Sequence, residues 1–300
     1  MASTHIKTLV VIVTHNRLAL LERCINAVKN QSKKLDEILI VNNGSTDGTK
    51  NFLDSLSVKS IHQENVGSAG GWHAGLDYAL KNRFDFCWLM DDDGFPAENS
   101  NELLSKNFPK GYSCLSSIVV CENQINKLVF PMPILNSNGH PKISLFKPKI
   151  NFLDNNSCFS EIYPFAHLFN GAMISMDAVK KIGNIDKNYF IMGDEVDYFY
   201  RLREYGPIGT LSKSLHIHPD VSKRSYSKIK IYYLLKNTII NHKKYMNFSS
   251  LRNIGLIFIV MLRLIQRNGI IFFLLLLLDK EFIIFKAIFR GYKLDLRKDF

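Results

Sequence analysis

Cys87-Trp88-Leu89-Met90-Asp91-Asp92-Asp93-Gly94-Phe95-Pro96 decides how this chain folds. The apolar run from Phe84 to Met90 reads as a buried strand, and it passes without a break into three carboxylates before Gly94 and Pro96 end it. Upstream, short β-branched runs alternate with amphipathic stretches. Thr8 to Val13 reads as a buried strand, Ile38 to Val41 as a second and Ser60 to His62 as a weak third. Between them Leu18, Leu21, Ile25 and Val28 recur at helical spacing, and Thr46 or Asp47 is placed to cap a helix carrying Phe52, Leu53 and Leu56. Gly67 to Gly75 leads into a helix through Leu76, Ala79 and Leu80. This alternation predicts a three-layer α/β fold around a mainly parallel sheet. Ligands of such sheets bind at the carboxyl ends of the strands, which makes Thr14 to Arg17, Asn42 to Gly48, Gln63 to Gly71 and Asp91 to Asp93 the candidate walls of a site.

Downstream the reading is poorer. Pro131, Pro133, Pro141 and Pro148 break any long element between about residues 110 and 165, and periodicity returns at Ala172 to Val179 and at Glu195 to Leu202. The 300 residues, 46% hydrophobic and 22% charged, exclude a disordered or disulfide-stapled chain. Five cysteines (Cys24, Cys87, Cys114, Cys121 and Cys158), mostly in apolar stretches and with no C-x-x-C pair, read as reduced structural thiols of a cytosolic protein. The first apolar run, Leu9 to Val13, is too short for a signal peptide.

Three carboxylates at the end of a buried strand repel one another, and a divalent cation is the simplest way to keep them ionised. Oxygen ligands suit Mn2+ or Mg2+, which share their remaining positions with substrate phosphates. A solvated acidic turn is the competing reading, and the placement directly after an apolar strand favours the metal. The run Asn65-Val66-Gly67-Ser68-Ala69-Gly70-Gly71 is neither a Walker A loop nor G-x-G-x-x-G, so its glycines serve either phosphate contact or close helix–strand packing. Asp194-Glu195-Val196-Asp197 places three carboxylates at a helix start, as a general base or as an ordinary acidic first turn paired with Arg201 or Arg203. His216 and His218 share a face of an extended segment; a zinc site would need a third ligand that the sequence does not offer, which leaves a phosphate-contacting or structural role.

In order along the chain, Val11-Ile12-Val13-Thr14-His15-Asn16-Arg17, Val41 to Thr49, Asn65-Val66-Gly67, Trp88 to Asp93, Phe169-Asn170-Gly171-Ala172 and Asp194 to Asp197 resemble an inverting family 2 glycosyltransferase of GT-A fold, over about residues 6 to 220. The resemblance implies that Thr14, Asn16, Arg17, Asn42, Asn43, Asn65, Gly70, Asp91 and Asp92 surround a nucleotide-diphosphate sugar. It implies Asp93 as metal ligand with Asp91 and His218 near the cation, Glu195 as catalytic base, and Asp194 as the reserve choice. The N-x-G-x-x-G-G run followed by W-x-x-D-D-D looks most like the galactofuranosyltransferase branch, whose donor is a uridine diphosphate sugar. Rhamnosyltransferases, with dTDP-rhamnose as donor, share much of the pattern, and a catalytically silent nucleotide-binding scaffold of the same fold is the competitor from another class. No Q-x-x-R-W motif of the processive synthases is present.

Charge divides the chain. Residues 1–222 hold 22 Lys+Arg against 23 Asp+Glu, whereas residues 223–300 hold 16 against 4. The expected organisation is a GT-A domain over 1–222, with a nucleotide and metal half (1–110) and an acceptor half (111–222), followed by a basic, apolar helical region over 223–300. The runs Ile254 to Leu262 and Gly269 to Leu278 are each shorter than the ~20 apolar residues that a spanning helix needs. Basic residues interleaved with Phe, Ile and Leu suit helices lying on an anionic membrane surface, with a re-entrant or weakly spanning segment around 254–278 left open. A buried helical subdomain whose basic residues are merely solvated is the competing reading, and a nucleic-acid-binding tail, which seldom carries so much aliphatic surface, is the third. The expectation is a peripheral protein at the cytoplasmic face of the membrane, acting on a lipid-linked glycan acceptor.

Overall fold

The computed structural model describes residues 6–142, 149–153 and 161–298; Pro148 and Cys158 lie outside them. The strand before the aspartates is β4 (Phe86–Asp91), and it sits in the middle of the sheet. On one side it pairs in parallel with β1 (Thr8–Thr14), which pairs with β2 (Glu37–Asn43), which pairs with β3 (Lys59–Gln63). β1 is buried along its whole length. Leu9, Val11 and Val13 enter one core and Val10 and Ile12 the other, so a strand covered on both faces reads as an unbroken apolar run.

Helices complete the layers. Against Val10, Ile12 and Trp88 lie α1 (Leu18–Lys29) through Leu21, Ile25 and Val28, α2 (Thr49–Asp54) through Leu53, and α4 (Ser100–Asn107) through Leu104. Against Leu9, Val11 and Leu89 lie α3 (Gly67–Lys81) through Trp72 and Leu76, α5 (Met176–Ile182) through Val179, and α6 (Asp194–Tyr205) through Tyr198 and Leu202.

Beyond β4 the sheet becomes mixed. It continues through β10 (Asn170–Ser175), antiparallel to both neighbours, then β6 (Cys114–Cys121) and β11 (Ile208–His218), and ends at the short β5 (Phe95–Pro96). The reversed β10 brings Asn170 level with Met90, and β11 delivers His216 and His218 to the same edge as the end of β4. The stretch that was hardest to read from sequence contains β6 and an antiparallel partner, β7 (Gln124–Pro133), which also pairs with β8 (Lys149–Phe152), while β9 (Ile162–Tyr163) pairs with β11. Pro131 and Pro133 sit near the far end of β7, beyond its pairing with β6, so neither removes a donor from the β6 ladder. The periodic stretch from Ala172 to Val179 is two elements, the end of β10 and the start of α5.

After β11 the chain forms four helices: α7 (Lys228–Tyr245), α8 (Ser249–Asn268), α9 (Ile270–Leu277) and α10 (Ile283–Tyr292). Tyr232, Leu235, Val260, Leu264, Leu276, Ile283 and Ala287 form their own core, onto which Phe190, Ile191 and Met192 pack. The first apolar run of the tail is part of a single 20-residue helix, α8, about 30 Å long at ~1.5 Å per residue. By length and composition α8 could cross a membrane, with a mean hydropathy of 1.3 and 17% of its apolar window buried. Phe258, Leu262, Ile271, Leu275, Phe285 and Phe289 all face outward from these helices.

Candidate active site

The three aspartates have three different environments. Asp92, nearly fully buried, accepts hydrogen bonds from the Thr14 hydroxyl (2.7 Å) and the Arg17 guanidinium (2.9 Å). Burial nevertheless leaves its carboxyl above the usual range, because desolvation outweighs Arg17 and Thr14. Asp93 Oδ2 meets Arg17 at 3.1 Å and Arg224 at 3.0 Å, while Oδ1 lies 3.0 Å from His218 Nε2. Desolvation would raise Asp93, but the hydrogen bond and charge of His218, with Arg17 and Arg224, hold it well below the ordinary carboxylate range. Asp91 pairs with no side chain among the described residues; burial, Asp93 and Asp92 push its carboxyl far up. Glu195 adds to that rise, which places the start of α6 within the electrostatic reach of the aspartates.

His218 donates Nδ1–H to the Pro219 carbonyl (2.7 Å), so Nε2 is the nitrogen that faces Asp93. Among the described residues no three His, Cys, Asp or Glu side chains converge as a metal-holding group. What converges is a pair, Asp93 and His218, beside Asp91, which has no side-chain partner among the described residues; Arg17 and Arg224 both take the other Asp93 oxygen, Oδ2. His216 is fully buried between Gly94 and Gly171, with both ring nitrogens unpartnered, and burial pushes it down to about 3. It packs the strand end and is neutral.

The loops after β1 and β2 are tied to each other. Asn16, at φ 53°, accepts from the Thr46 N–H (2.6 Å) and donates its own N–H to Ser45 Oγ (3.0 Å). Asn42 Oδ1 accepts from the Ser45 N–H (3.1 Å). Asn43 is buried and saturated: its amide donates to the Gly67 carbonyl (3.0 Å), and its oxygen accepts from Gln63 (2.9 Å). Asn65 Oδ1 caps the Gly67 N–H (3.0 Å). Asp47 accepts from the Leu18 N–H (3.0 Å) and from Thr49, so it serves the starts of both α1 and α2. Thr14 and Arg17 therefore contact the aspartates directly, whereas Asn42, Asn43 and Asn65 shape the adjoining wall. The glycines of α3 pack: a Cβ on Gly71 would lie 2.6 Å from Val13 Cγ1, one on Gly75 2.4 Å from Val11 Cγ1, and one on Gly70 2.4 Å from Val66 Cγ2.

At α6 the two acidic neighbours differ. The Glu195 side chain is 32% exposed, accepts from the Leu168 N–H at 2.7 Å, and lies 3.6 Å from His167 Nδ1. Asp194 is buried, and desolvation followed by the charge of Glu195 pushes it up to about 7, with Ser68 as its side-chain hydrogen-bond partner. Asp197 is structural: it takes Arg201 (2.9 Å), Tyr245 (2.7 Å) and Lys244 (3.2 Å).

Sequence reasoning missed Arg224, which belongs to the basic tail and reaches Asp93 across 131 residues. It also missed the company Arg224 keeps. Arg267 donates to the Arg224 carbonyl (3.3 Å) and stacks over Tyr226, and Lys230 lies over the same ring. Lys230 is depressed by burial and by Arg224, Arg17 and Arg267 together. Its only sequence signal was the density of basic residues after His218.

A parallel sheet continued by a reversed strand, with an aspartate cluster at the end of its central strand and a carboxylate facing it from a helix start, defines a GT-A glycosyltransferase. The sequence profile of Glycosyl transferase family 2 matches residues 9–178, and the chain belongs to that family. It is 31% identical over 219 residues to the galactofuranosyltransferase GlfT1 of Mycolicibacterium smegmatis, covering 70% of each chain. It is 27% identical to the protein of the same name from Mycobacterium tuberculosis, covering 70% of this chain and 69% of that one. Among solved structures, a mannosyltransferase from Pyrobaculum calidifontis, in complex with GDP-Man and Mn2+, superposes with a TM-score of 0.53 at 13% identity, over 98% of this chain and 88% of that one.

Proposed function

We propose that this enzyme is a metal-dependent inverting glycosyltransferase that moves one galactofuranose from UDP-galactofuranose to a lipid-linked surface-glycan acceptor at the cytoplasmic face of a membrane. The observation that carries the reading is the meeting of Arg17, Arg224 and His218 on Asp93, beside Asp91, which has no side-chain partner among the described residues and lies within electrostatic reach of the partly exposed Glu195. Likeness to two proteins named galactofuranosyltransferases supports the donor.

Glu195 takes the proton of an acceptor hydroxyl, whose oxygen attacks the anomeric carbon as the bond to the diphosphate oxygen breaks on the opposite face. Configuration inverts, and the leaving nucleoside diphosphate carries away the electron pair. Arg17, Arg224 and Lys230 supply fixed positive charge where that diphosphate develops its own. Asp93 and His218 would hold Mn2+ or Mg2+, an oxygen and nitrogen pair that leaves positions for substrate oxygens, and the bound cation would add Lewis-acid stabilisation of the diphosphate. Asp194, buried behind Glu195, raises no competing base to the surface. The outward apolar faces of α8, α9 and α10, in a region with 16 basic and 4 acidic residues, would hold the 223–300 region against anionic lipid.

The test is a panel of sugar nucleotides with Mn2+ or Mg2+, read by thermal shift and nucleotide release. A rise in midpoint confined to UDP-galactofuranose and abolished by chelation is expected. A shift with dTDP-rhamnose alone would reassign the donor, and binding without release from any donor would make the protein a silent scaffold.

A further inference from the structure

The segment that delivers Glu195 is wound in an unusual way. Between the single 3-10 turn Lys187–Tyr189 and α6, Phe190 stands at φ 62°, ψ −68°, Met192 at φ 64° and Gly193 at φ 86°. The Ile191 N–H donates to the Tyr189 carbonyl at 2.7 Å, closing a three-residue turn of the rare positive-φ kind around a phenylalanine. Bulky residues adopt such backbone only where their surroundings over-determine it, and such places cluster at functional sites. Asp194 and Glu195 follow directly after Gly193.

What over-determines it is α7. Asn237, fully buried, points its amide nitrogen at three carbonyls of the turn, those of Tyr189 (3.0 Å), Ile191 (3.0 Å) and Met192 (2.6 Å). Asn241, one helical turn on, donates to the Gly193 carbonyl (2.8 Å) and accepts from the Tyr189 hydroxyl (2.6 Å). Three carbonyls on one side chain fix the orientation of the Asn237 amide, because its oxygen turned toward them would meet only acceptors. The fit leaves no slack: a Cβ on Gly193 would lie 2.7 Å from Asn237 Cβ. From the opposite side α3 closes the clamp, with the Ala69 N–H on the Phe190 carbonyl (3.1 Å) and Gly67 packed against that carbonyl.

We infer that Asn237 is a positioning residue for catalysis: by holding the 189–193 turn against α7 it sets where Glu195 stands relative to Asp91–Asp93. The inference rests on Glu195 being the base. It gives the helical region a part in the chemistry beyond any contact with lipid, since the helix that packs under α10 also aims the acidic end of α6. The network around Asp197, two residues after Glu195 and supplied by Lys244 and Tyr245 of α7, fixes the same helix at a second point.

The test compares wild type, Asn237→Ala, Glu195→Gln and the double variant. It reads UDP affinity, nucleotide release from UDP-galactofuranose, and amide hydrogen exchange of residues 189–195. Asn237→Ala is expected to lower kcat by about 10²-fold, the scale of a small misplacement of a reacting group, while UDP affinity and donor KM stay within about twofold. In the Glu195→Gln background the same change is expected to cost nothing further, since a positioning residue has no base left to position. Exchange at 189–195 should quicken while that of α3 is unchanged. Losses that multiply in the double variant, or a kcat within about twofold of wild type with an unchanged exchange profile, overturn the inference. Should wild type release nothing from UDP-galactofuranose, the donor reading fails; the exchange profile then decides by itself whether Asn237 holds the turn. Asn241→Ala, predicted to show the same pattern more weakly, carries the test if Asn237→Ala does not fold.

Discussion

Asp194 and Glu195 are adjacent in sequence and opposite in environment, and the difference is measurable. Asp194 is held up at about 7 by burial and by Glu195, so the folded state keeps its proton where the unfolded chain has lost it. Between about pH 4 and pH 7 the folded state therefore binds more protons, and the native fold loses stability as pH rises through that window. The loss is at most ~4 kcal/mol and flattens above pH 7. Asp194→Asn should lose the Asp194 share of that slope and so show a shallower fall than wild type, as denaturant titrations of the two proteins at several pH values would read; parallel pH profiles would contradict the assignment. Arg224→Gln removes the charged contact with Asp93 and, on the proposed reading, a cation facing the diphosphate; it should weaken UDP binding by about tenfold while leaving uridine binding unchanged, as calorimetry would show. Most residues of the site were legible because each strand-end loop carries its own motif. Arg224 was not, because its partner Asp93 is 131 residues away and nothing local marks one arginine of a basic tail from the others. The same holds for Asn237, whose partners are backbone carbonyls that no sequence pattern identifies.

At the scale of elements, β1, β2, β4 and the helices between them stood out because a strand buried on both faces is a continuous apolar run and an amphipathic helix repeats every three to four residues. The β6–β7 hairpin did not stand out, since β7 is exposed at its start and ends in two prolines. The glycines of α3 left phosphate contact and packing equally open, and it is the helix–strand distance that places Gly71 and Gly75 against Val13 and Val11. Alanine at Gly75 would gain ~1 kcal/mol of helix propensity but drive a methyl to 2.4 Å from Val11 Cγ1. Overpacking of this kind costs about 1–3 kcal/mol, so Gly75→Ala should lower the urea midpoint. A higher midpoint would mean that α3 can move away from β1.

Across the whole molecule, the basic excess and most of the exposed large apolar side chains fall in residues 223–300. Arg17 pairs with Asp92 and Asp93 and Arg224 with Asp93, while Lys230 and Arg267 of the helical region lie close enough to these arginines to be felt by them. Phe258, Leu262, Ile271, Leu275 and Phe285 face outward beyond them. Binding to phosphatidylglycerol/phosphatidylcholine vesicles should be lost progressively as salt rises, and Phe258→Glu with Leu262→Glu should abolish flotation without altering UDP affinity. Equal flotation with purely zwitterionic vesicles would argue for insertion without electrostatic attraction. The most direct measurement of the central claim sets nucleotide release from UDP-galactofuranose beside UDP binding in wild type, Glu195→Gln and Asp93→Ala. Glu195→Gln should bind UDP as wild type does yet release nucleotide about 10²–10⁴-fold more slowly, while Asp93→Ala should lose metal-dependent binding as well. Equal loss of both functions in both variants, or full turnover in Glu195→Gln, would contradict it.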